Sequence, residues 1–259
     1  MANLFNFEYY KLNKQKRFLI LIATTFIFQL LMAIFIKYNE DFMSYERAIQ
    51  YSFLAPYVIN VSIIFLACTM LTEDFEHLTI VPIKMKYPNL SKLISVKLIL
   101  ILFTHIVLLF LSACFTILLA YTLLNYDLNL AIISDVYLYS LTMILPIATI
   151  ILLAAIASLI TKKEKTGLII SLIIYLLYGL GTGLNFLIIQ NLPVFKYGIV
   201  NLMNLSNQLI DSRYIEMTQL SHVNMITVII VYLIIESIIL FILSVDFKFK
   251  LATLRLKFY

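Results

Sequence analysis

The sequence has little charge, no tryptophan, and only five glycines and five prolines among 259 residues. Charged residues make up 13% of the chain and hydrophobic residues 63%, with a mean hydropathy of +0.99. A soluble domain needs a polar surface and is about half apolar, so this composition excludes one and indicates a membrane protein. Because tryptophan is absent, the 17 tyrosines and 19 phenylalanines would supply any aromatic belt at the membrane interface.

Motifs for nucleotide binding and metal-dependent catalysis are also absent. The sequence contains neither the phosphate loop G-x-x-x-x-G-K-[ST] nor the zinc motif H-E-x-x-H, so we expect no ATP site of the phosphate-loop type. Cys68 and Cys114 both lie in apolar runs, which favours small packing residues over a disulfide or a metal site. We therefore predict that this chain is not an enzyme, has no catalytic residues and binds no metal or cofactor.

Six apolar runs are long enough to cross a hydrocarbon core of about 30 Å, which takes about 20 residues. Backbone polar groups in lipid must be satisfied within a segment, so each run is predicted to be a helix and the fold to be all-α. The whole chain, 1–259, is then a single polytopic transmembrane domain, with spans near 18–36, 52–71, 98–124, 136–160, 167–190 and 225–245.

Lysine and arginine are distributed unevenly between the two sides of this arrangement. All but four of the 19 basic residues flank one side, and the exceptions are Lys37, Arg47, Lys196 and Arg213. Cytoplasmic flanks carry the excess of basic residues, so both termini and the loop at 72–97 are predicted to be cytoplasmic. These short basic flanks face an anionic leaflet, so the net charge of +5 does not indicate nucleic-acid binding.

Two segments outside the spans carry helical patterns. The opening stretch NLFNFEYYKLNKQKR mixes aromatic and basic residues and predicts an amphipathic helix at the inner membrane surface, with a loose basic tail as the alternative. In the outer loop at 191–224, apolar residues recur at spacings of three or four. They predict either a short interfacial helix that caps the outer mouth of a pathway or an ordinary loop in the headgroups.

Small residues indicate where helices approach closely. Gly179 and Gly183 form a G-x-x-x-G pair in the fifth span, which favours a helix–helix contact within or between protomers. Ala154 and Ser158, four residues apart in the fourth span, offer a second face for close packing.

Two ionisable residues, Glu236 and His105, lie within predicted spans. A charge at the centre of a span costs about 2.5–3.5 kcal/mol on insertion scales, so such a residue usually faces a partner or water. His105 lies about 10 Å and Glu236 about 14 Å from the predicted inner edge, at the helical rise. We hypothesise that they form a structural pair or an intramembrane polar pathway. The alternative is that each bonds separately to nearby backbone or hydroxyl groups.

The stretch TEDFEHLTIVPIKMKYPNLSKLISVK, at 72–97, is the longest charged interruption in the first half of the chain. It predicts two short helices. Glu73, Asp74 and Glu76 suit the first turn of a helix that follows Thr72, and Pro82 ends it. A second helix begins at Pro88 and continues into the third span.

The chain resembles the permeases of ABC exporters of the ABC-2 type, which have an amphipathic N-terminal helix and six spans. Between spans two and three, that family carries an acidic residue, a Gly-Thr pair, a few apolar residues, a proline and a lysine that opens span three. Glu76, Thr79, Pro82 and Lys97 stand at matching places. The chain departs from the family at Leu78, where glycine is frequent, and no arginine closely follows Pro82.

The resemblance implies that the segment between spans two and three is a coupling helix that docks on a separate cytoplasmic ABC ATPase. That partner would bind ATP and Mg²⁺. The implied coupling residues are Glu73, Asp74, Glu76, Thr79 and Pro82. A second permease copy, identical or related, would complete a dimer in the bacterial plasma membrane.

The resemblance also implies a function, which is the export of amphipathic peptides or other hydrophobic cargo, or immunity to bacteriocins. The competing prediction is an ion-coupled secondary transporter that uses Glu236 and His105.

Overall fold

The computed structural model describes residues 2–39, 41–76, 90–161 and 163–255, and in these ranges the protein is helical with no strand. The helices, numbered along the chain, are α1 (Ala2–Lys14), α2 (Arg17–Tyr38), α3 (Tyr45–Gln50), α4 (Ala55–Glu76), α5 (Leu90–Thr122), α6 (Leu130–Thr161), α7 (Glu164–Asn191), α8 (Ile199–Leu202), α9 (Leu205–Ile210), α10 (Arg213–Thr218) and α11 (His222–Arg255). Short 3₁₀ turns occupy Ser52–Leu54 and Pro193–Tyr197.

Five segments are long and apolar enough to cross a membrane, and they are Arg17–Tyr38, Ser52–Asp74, Ser91–Thr122, Leu130–Thr161 and His222–Ser244. They correspond to five of the six predicted spans. The protein is therefore a multi-pass helical membrane protein, because lipid allows such apolar surface to remain uncovered.

The fifth predicted span, 167–190, takes a different form. It lies in α7, whose arms Lys165–Gly179 and Gly183–Asn191 are inclined at 84° to each other. The bend falls where three of the five glycines occur, and glycine is a known cause of sharp helix bends because it stabilises the helix poorly. The described chain thus has six spans only if both arms of α7 count as one.

α4 and α6 form the interior of the bundle. α6 packs against α4, α5, α7 and α11, and α4 packs against α2, α5, α6 and α7. In the most apolar window of α4 and of α6, 61% of residues are buried, whereas the share is 22% in α2 and 17% in α11. The exposed faces of α2 and α11 carry leucine, isoleucine and phenylalanine, as expected for surfaces that face lipid.

Helix α1 packs against α2 and α5, so the predicted N-terminal helix is present. Leu4, Glu8 and Leu12 are spaced four residues apart and are all buried. Residues at this spacing share one face of a helix, so α1 presents a narrow stripe to the bundle with an acid at its centre.

The two ends of the bundle are distinguished by their polar groups. α4 has 22 residues and is about 33 Å long at the helical rise. Its last turn lies beside α1 and the beginning of α5, and its first turn lies near α3 and the loop that follows α7. We call these the charged end and the loop end.

Residues 191–221 fold back onto the loop end of the bundle. They form α8, α9 and α10 rather than one interfacial helix, and α9 packs against α6. Amide side chains hold this segment together: Asn201 donates to the Thr218 carbonyl at 3.1 Å, and Gln208 donates to the Leu220 carbonyl at 3.0 Å. Both amides are buried, so this loop is part of the packed structure.

A buried hydrogen bond holds α2 against α5. Gln29 of α2 is fully buried, and its Nε2 atom donates to Thr116 Oγ1 of α5 at 2.9 Å.

The turn Ser52–Leu54, which precedes α4, has three consecutive residues with positive φ, at 50°, 48° and 62°. A left-handed conformation costs about 1–2 kcal/mol for each non-glycine residue, so this turn is strained.

Candidate functional site

A buried charged cluster lies at the charged end, where α4 ends and residues 77–89, which are outside the described chain, begin. It consists of Glu8 and Lys11 from α1, Arg17 from α2, Glu73 and Asp74 from α4, and Lys97 from α5. Three acids and three bases face one another, so the cluster is balanced in formal charge. Four helices therefore meet through electrostatic contacts at this point.

Asp74 is the centre of the charged cluster. Its Oδ2 atom pairs with Lys97 Nζ, which also donates to the Met70 carbonyl, and its Oδ1 atom accepts a hydrogen bond from Lys11 Nζ at 2.9 Å. Asp74 and Lys97 are only 1% and 2% exposed. A charge buried this deeply is tolerated only when it is paired, so each group depends on the other.

Glu73 makes a second set of contacts nearer the surface. Its Oε1 atom accepts a hydrogen bond from Gln15 Nε2 at 2.9 Å, and its Oε2 atom pairs with Arg17 Nη1 at 3.1 Å. The side chains of Arg17 and Glu73 are 25% and 13% exposed. This pair fixes the junction between α1 and α2 against the end of α4.

Glu8 is the least satisfied member of the charged cluster. Its Oε2 atom lies 3.9 Å from Lys97 Nζ, and neither carboxylate oxygen has a hydrogen-bond partner in the described chain. Burial raises the pKa of Glu8 above its ordinary value of 4.5, although the charge of Lys97 acts in the opposite direction. The buried carboxyl of Glu8 therefore holds a proton more readily than an exposed glutamate does.

Of the predicted coupling residues, only Glu73 and Asp74 have described side chains. Glu73 and Asp74 lie in the last turn of α4, not in the first turn of a new helix, which corrects the predicted helix start. Acids are unfavourable at a helix C-terminus, and the neighbouring lysines and arginine offset that cost. Glu76 ends α4 and its side chain is outside the described part, as are the residues Thr79 and Pro82.

An intramembrane polar chain begins at His105, which is completely buried in α5. His105 Nε2 lies 3.0 Å from Asn60 Oδ1, and Asn60 Nδ2 donates to the Tyr175 hydroxyl at 3.1 Å. The rings of Tyr175 and Tyr178 are 6.0 Å apart, and the Tyr178 hydroxyl accepts a hydrogen bond from Asn207 Nδ2 at 3.1 Å. This polar chain of five residues connects the loop end with the interior of the bundle.

Glu236 lies on α11 and is 4% exposed, and neither carboxylate oxygen has a hydrogen-bond partner within the described chain. Leu240, one turn later on the same face, packs in a cluster with Leu93 of α5 and Ala155 of α6. Glu236 therefore faces the bundle rather than lipid. No hydrogen bond joins it to His105, whose described partner is Asn60.

Gly179 and Gly183 of α7 were predicted to lie in a helix–helix contact within or between protomers. A Cβ atom added at Gly179 or Gly183 would meet no neighbouring side chain or other helix within 4 Å, so neither glycine packs against another helix in the part of the chain that the structure describes. A contact with a second protomer stays a prediction. Close packing occurs instead at Gly167, where an added Cβ would lie 1.9 Å from Ser158 Oγ and 2.9 Å from the Ala154 carbonyl oxygen.

Several residues of these sites were missed by the sequence reasoning. Lys11 and Arg17 were counted only for topology, because nothing in the sequence places α1 beside the end of α4. Asn60 and Gln29 were overlooked, although each is a strongly polar side chain within an apolar run. A search of the spans for amide side chains as well as ionisable ones would have found both.

The described residues contain no group of three or more His, Cys, Asp or Glu side chains that could hold a metal ion. Comparisons with protein-family models, with curated proteins and with solved structures found no match to this chain. These comparisons therefore give no indication of its function.

Asp74→Asn should destabilise the protein by about 3–5 kcal/mol, because it leaves Lys97 buried without its counter-charge. The matched change Glu73→Gln removes a more exposed ion pair and should cost about 1 kcal/mol or less. Unfolding of the purified protein in mixed micelles, followed by circular dichroism during SDS titration, measures both. The double variant Asp74→Asn/Lys97→Met should recover much of the loss, and equal destabilisation by the two single changes would contradict the central role of Asp74.

Glu8→Gln should raise stability at neutral pH and weaken its dependence on pH. A carboxyl whose pKa is raised in the folded state stabilises the fold below its ordinary pKa, and that contribution is lost as pH rises through the raised value. The stability difference between Glu8→Gln and the native chain should therefore grow from pH 4.5 towards neutrality. A difference that shrinks over this interval would show that Glu8 is stabilised as the anion.

Asn60→Ala and His105→Ala should be strongly coupled in a double-mutant cycle, by about 0.5–3 kcal/mol, because their side chains are hydrogen-bonded. The cycle of His105→Ala with Glu236→Gln is the comparison, and it should be additive within about 0.5 kcal/mol. The same SDS titration provides the free energies. Larger coupling in the Glu236 cycle would restore the predicted pairing of Glu236 with His105.

Proposed function

We propose that this chain is the membrane subunit of an ATP-driven ABC exporter that works with a separate ATPase chain. The observation that carries the proposal is the buried charged cluster at the base of residues 77–89. This is the position at which the resemblance to ABC-2 permeases expects a coupling helix. A segment that transmits force needs a firm attachment to the spans, and the charged cluster supplies one.

The route of the force follows from the contacts of the charged cluster. Closure of the ATPase would displace residues 77–89, with Glu76, Thr79 and Pro82 at the docking surface. The displacement would reach the end of α4 directly, α5 through the pair of Asp74 with Lys97, and α1 through Lys11. Because the pair of Asp74 with Lys97 is buried, breaking it costs more than breaking an exposed ion pair would.

Two permease subunits, identical or related, would enclose the pathway in a bacterial plasma membrane, with both termini and the charged end in the cytoplasm. ATP and Mg²⁺ would bind to the ATPase. The apolar spans favour an amphipathic peptide or other hydrophobic cargo, carried in export or in immunity to antimicrobial peptides.

The test uses inside-out vesicles that contain the chain together with the ABC ATPase that co-purifies with it from its host. A fluorescent amphipathic peptide should accumulate in the vesicles only with ATP and Mg²⁺. Glu76→Lys/Thr79→Asp should reduce accumulation at least tenfold while the ATPase still hydrolyses ATP. Asp127→Lys is the matched control, because it reverses an exposed acid at the loop end and should leave accumulation unchanged.

Orientation is tested in the same membranes with a cysteine-free chain in which Cys68 and Cys114 are replaced. A single cysteine at position 84 should react with an impermeant maleimide only in inside-out vesicles, and one at position 127 only in intact cells. The reverse pattern would place residues 77–89 outside the cell and overturn the proposal. ATP-independent accumulation would overturn it as well.

The second candidate is an ion-coupled secondary transporter. It is favoured by Glu236, whose buried carboxyl has no partner, and by His105, whose buried Nδ1 atom also has none in the described chain. The two residues are not joined by a hydrogen bond, which weakens the idea of a direct relay. Uptake driven by a proton gradient without ATP, and abolished by Glu236→Gln, would support this candidate and exclude the exporter.

A further inference from the structure

The loop end contains two adjoining cavities that the coupling mechanism does not use. The larger has a volume of about 560 Å³ and lies between α3, the first turn of α4, α9 and α10. The smaller, of about 400 Å³, lies between α3 and α10. Both are of the size that binds small molecules in other proteins, roughly 300–1,000 Å³. Arg47, Tyr51 and Tyr214 line both cavities and therefore stand where they meet.

The wall of the larger cavity has an aromatic and apolar part beside a polar part. Phe42, Leu54 and Tyr57 line it together with the shared Tyr51 and Tyr214. Tyr57 stacks on Tyr178 with ring centroids 6.2 Å apart and an angle of 13° between the planes, so this wall rests on buried aromatic packing. The apolar part of a ligand would displace water from these rings favourably.

Arg47 is the cation at the junction, and its side chain makes no hydrogen bond or ion pair within the described chain. The acid nearby that lines the smaller cavity, Asp211, is already engaged. It accepts hydrogen bonds from Arg213 Nε at 3.0 Å and from Nη2 at 2.6 Å. These bonds lower the pKa of Asp211 to about 2, and the charge of Arg47 makes a smaller contribution in the same direction. The hydrogen bonds of Asp211 go to Arg213, so the guanidinium of Arg47 keeps its donors for an external anion.

The wall of the larger cavity includes a side chain fixed by hydrogen bonds and a strained backbone segment. Asn207 lines the larger cavity and is 5% exposed. It donates hydrogen bonds to Tyr178 and Asn204, so its side chain is fixed in place. Leu54 belongs to the strained turn Ser52–Leu54. Unfavourable backbone conformations persist only where the surrounding structure enforces them, and they are concentrated at active sites and ligand sites.

We propose that these cavities bind a single-chain amphiphile with an anionic head. The head, a carboxylate or a phosphate, would pair with Arg47, whose planar guanidinium forms two parallel hydrogen bonds with either group. The apolar chain would lie against Phe42, Tyr57 and Tyr214. Asp41, an exposed acid on the rim, disfavours an anion there and so directs the head towards Arg47.

This site stands apart from the proposed function, because binding requires neither ATP nor the ATPase. If the chain is an exporter, the ligand is a cargo or a regulator. If it is not, the site is still a binding site. The experiment therefore measures binding to the chain alone, so that failure of either proposal is recognised separately.

The chain is reconstituted in phosphatidylcholine nanodiscs, and binding is measured by equilibrium dialysis against empty nanodiscs. The probes are radiolabelled dodecanoate and dodecyl phosphate, with dodecyltrimethylammonium as the cation of equal chain length. Both anions should bind saturably, with one molecule per chain, and the cation should show no binding above that of empty discs. Whichever anion binds more tightly identifies the head as a carboxylate or a phosphate.

Arg47→Gln should weaken anion binding at least about tenfold, since charge-assisted hydrogen bonds are lost. Arg47→Lys should retain part of the affinity, because it keeps the charge. Lys196→Gln is the matched control: it removes a cation at the same end, outside both cavities, and should have no effect. Tyr57→Ala should weaken both anions to the same extent, because it removes only the apolar contact.

Asp41→Asn decides between an anionic and a zwitterionic head, and it should leave anion binding unchanged or tighter. A loss as large as that of Arg47→Gln would overturn the assignment of an anionic ligand. Equal binding of the cation, or full affinity in an Arg47→Gln protein that still elutes as a monodisperse peak, would overturn the site itself.

Discussion

The buried ion pair between Asp74 and Lys97 is the constraint on which the charged end depends. Neither group could remain charged at this depth alone, so α4 and α5 must meet in one register for both to be satisfied. Lys11 then brings α1 to the same carboxylate, and Arg17 brings the start of α2 to Glu73. One electrostatic requirement therefore positions four helices around the base of residues 77–89.

The polar chain and the charged cluster do not meet. Lys97 and His105 both lie on α5, eight residues and about 12 Å apart at the helical rise. Between them Leu100 and Ile101 are completely buried, and Ile63 and Ile64 of α4 belong to the same apolar cluster. Polar groups thus enter from the loop end and charges gather at the charged end, with an apolar layer between them. A polar molecule could cross this layer only if the helices rearranged.

Much of the fold could be predicted from the sequence, and the candidate sites only in part. Long apolar runs predicted helices near 18–36 and 98–124 because backbone hydrogen bonds in lipid leave no other choice. The bend of α7 was not predicted, since a glycine cluster can pack against a helix or break one. Ala154 and Ser158 were predicted to be a packing face, and they receive Gly167. Asn207 gave no local signal, because its partner Tyr178 is distant in sequence.

Composition and the order of apolar runs were sufficient to determine a multi-pass helical membrane protein, because hydrophobic length is a local property of the chain. Which polar residues meet was decided only by tertiary packing. His105 could bond with any polar group at a similar depth, and the packing of α4 against α5 selected Asn60. The same holds for Arg47, which lines one cavity with Asp211 and Tyr214 only because α3 packs near α10 in the folded chain. Such pairings depend on distances between helices, and a linear sequence does not contain those distances.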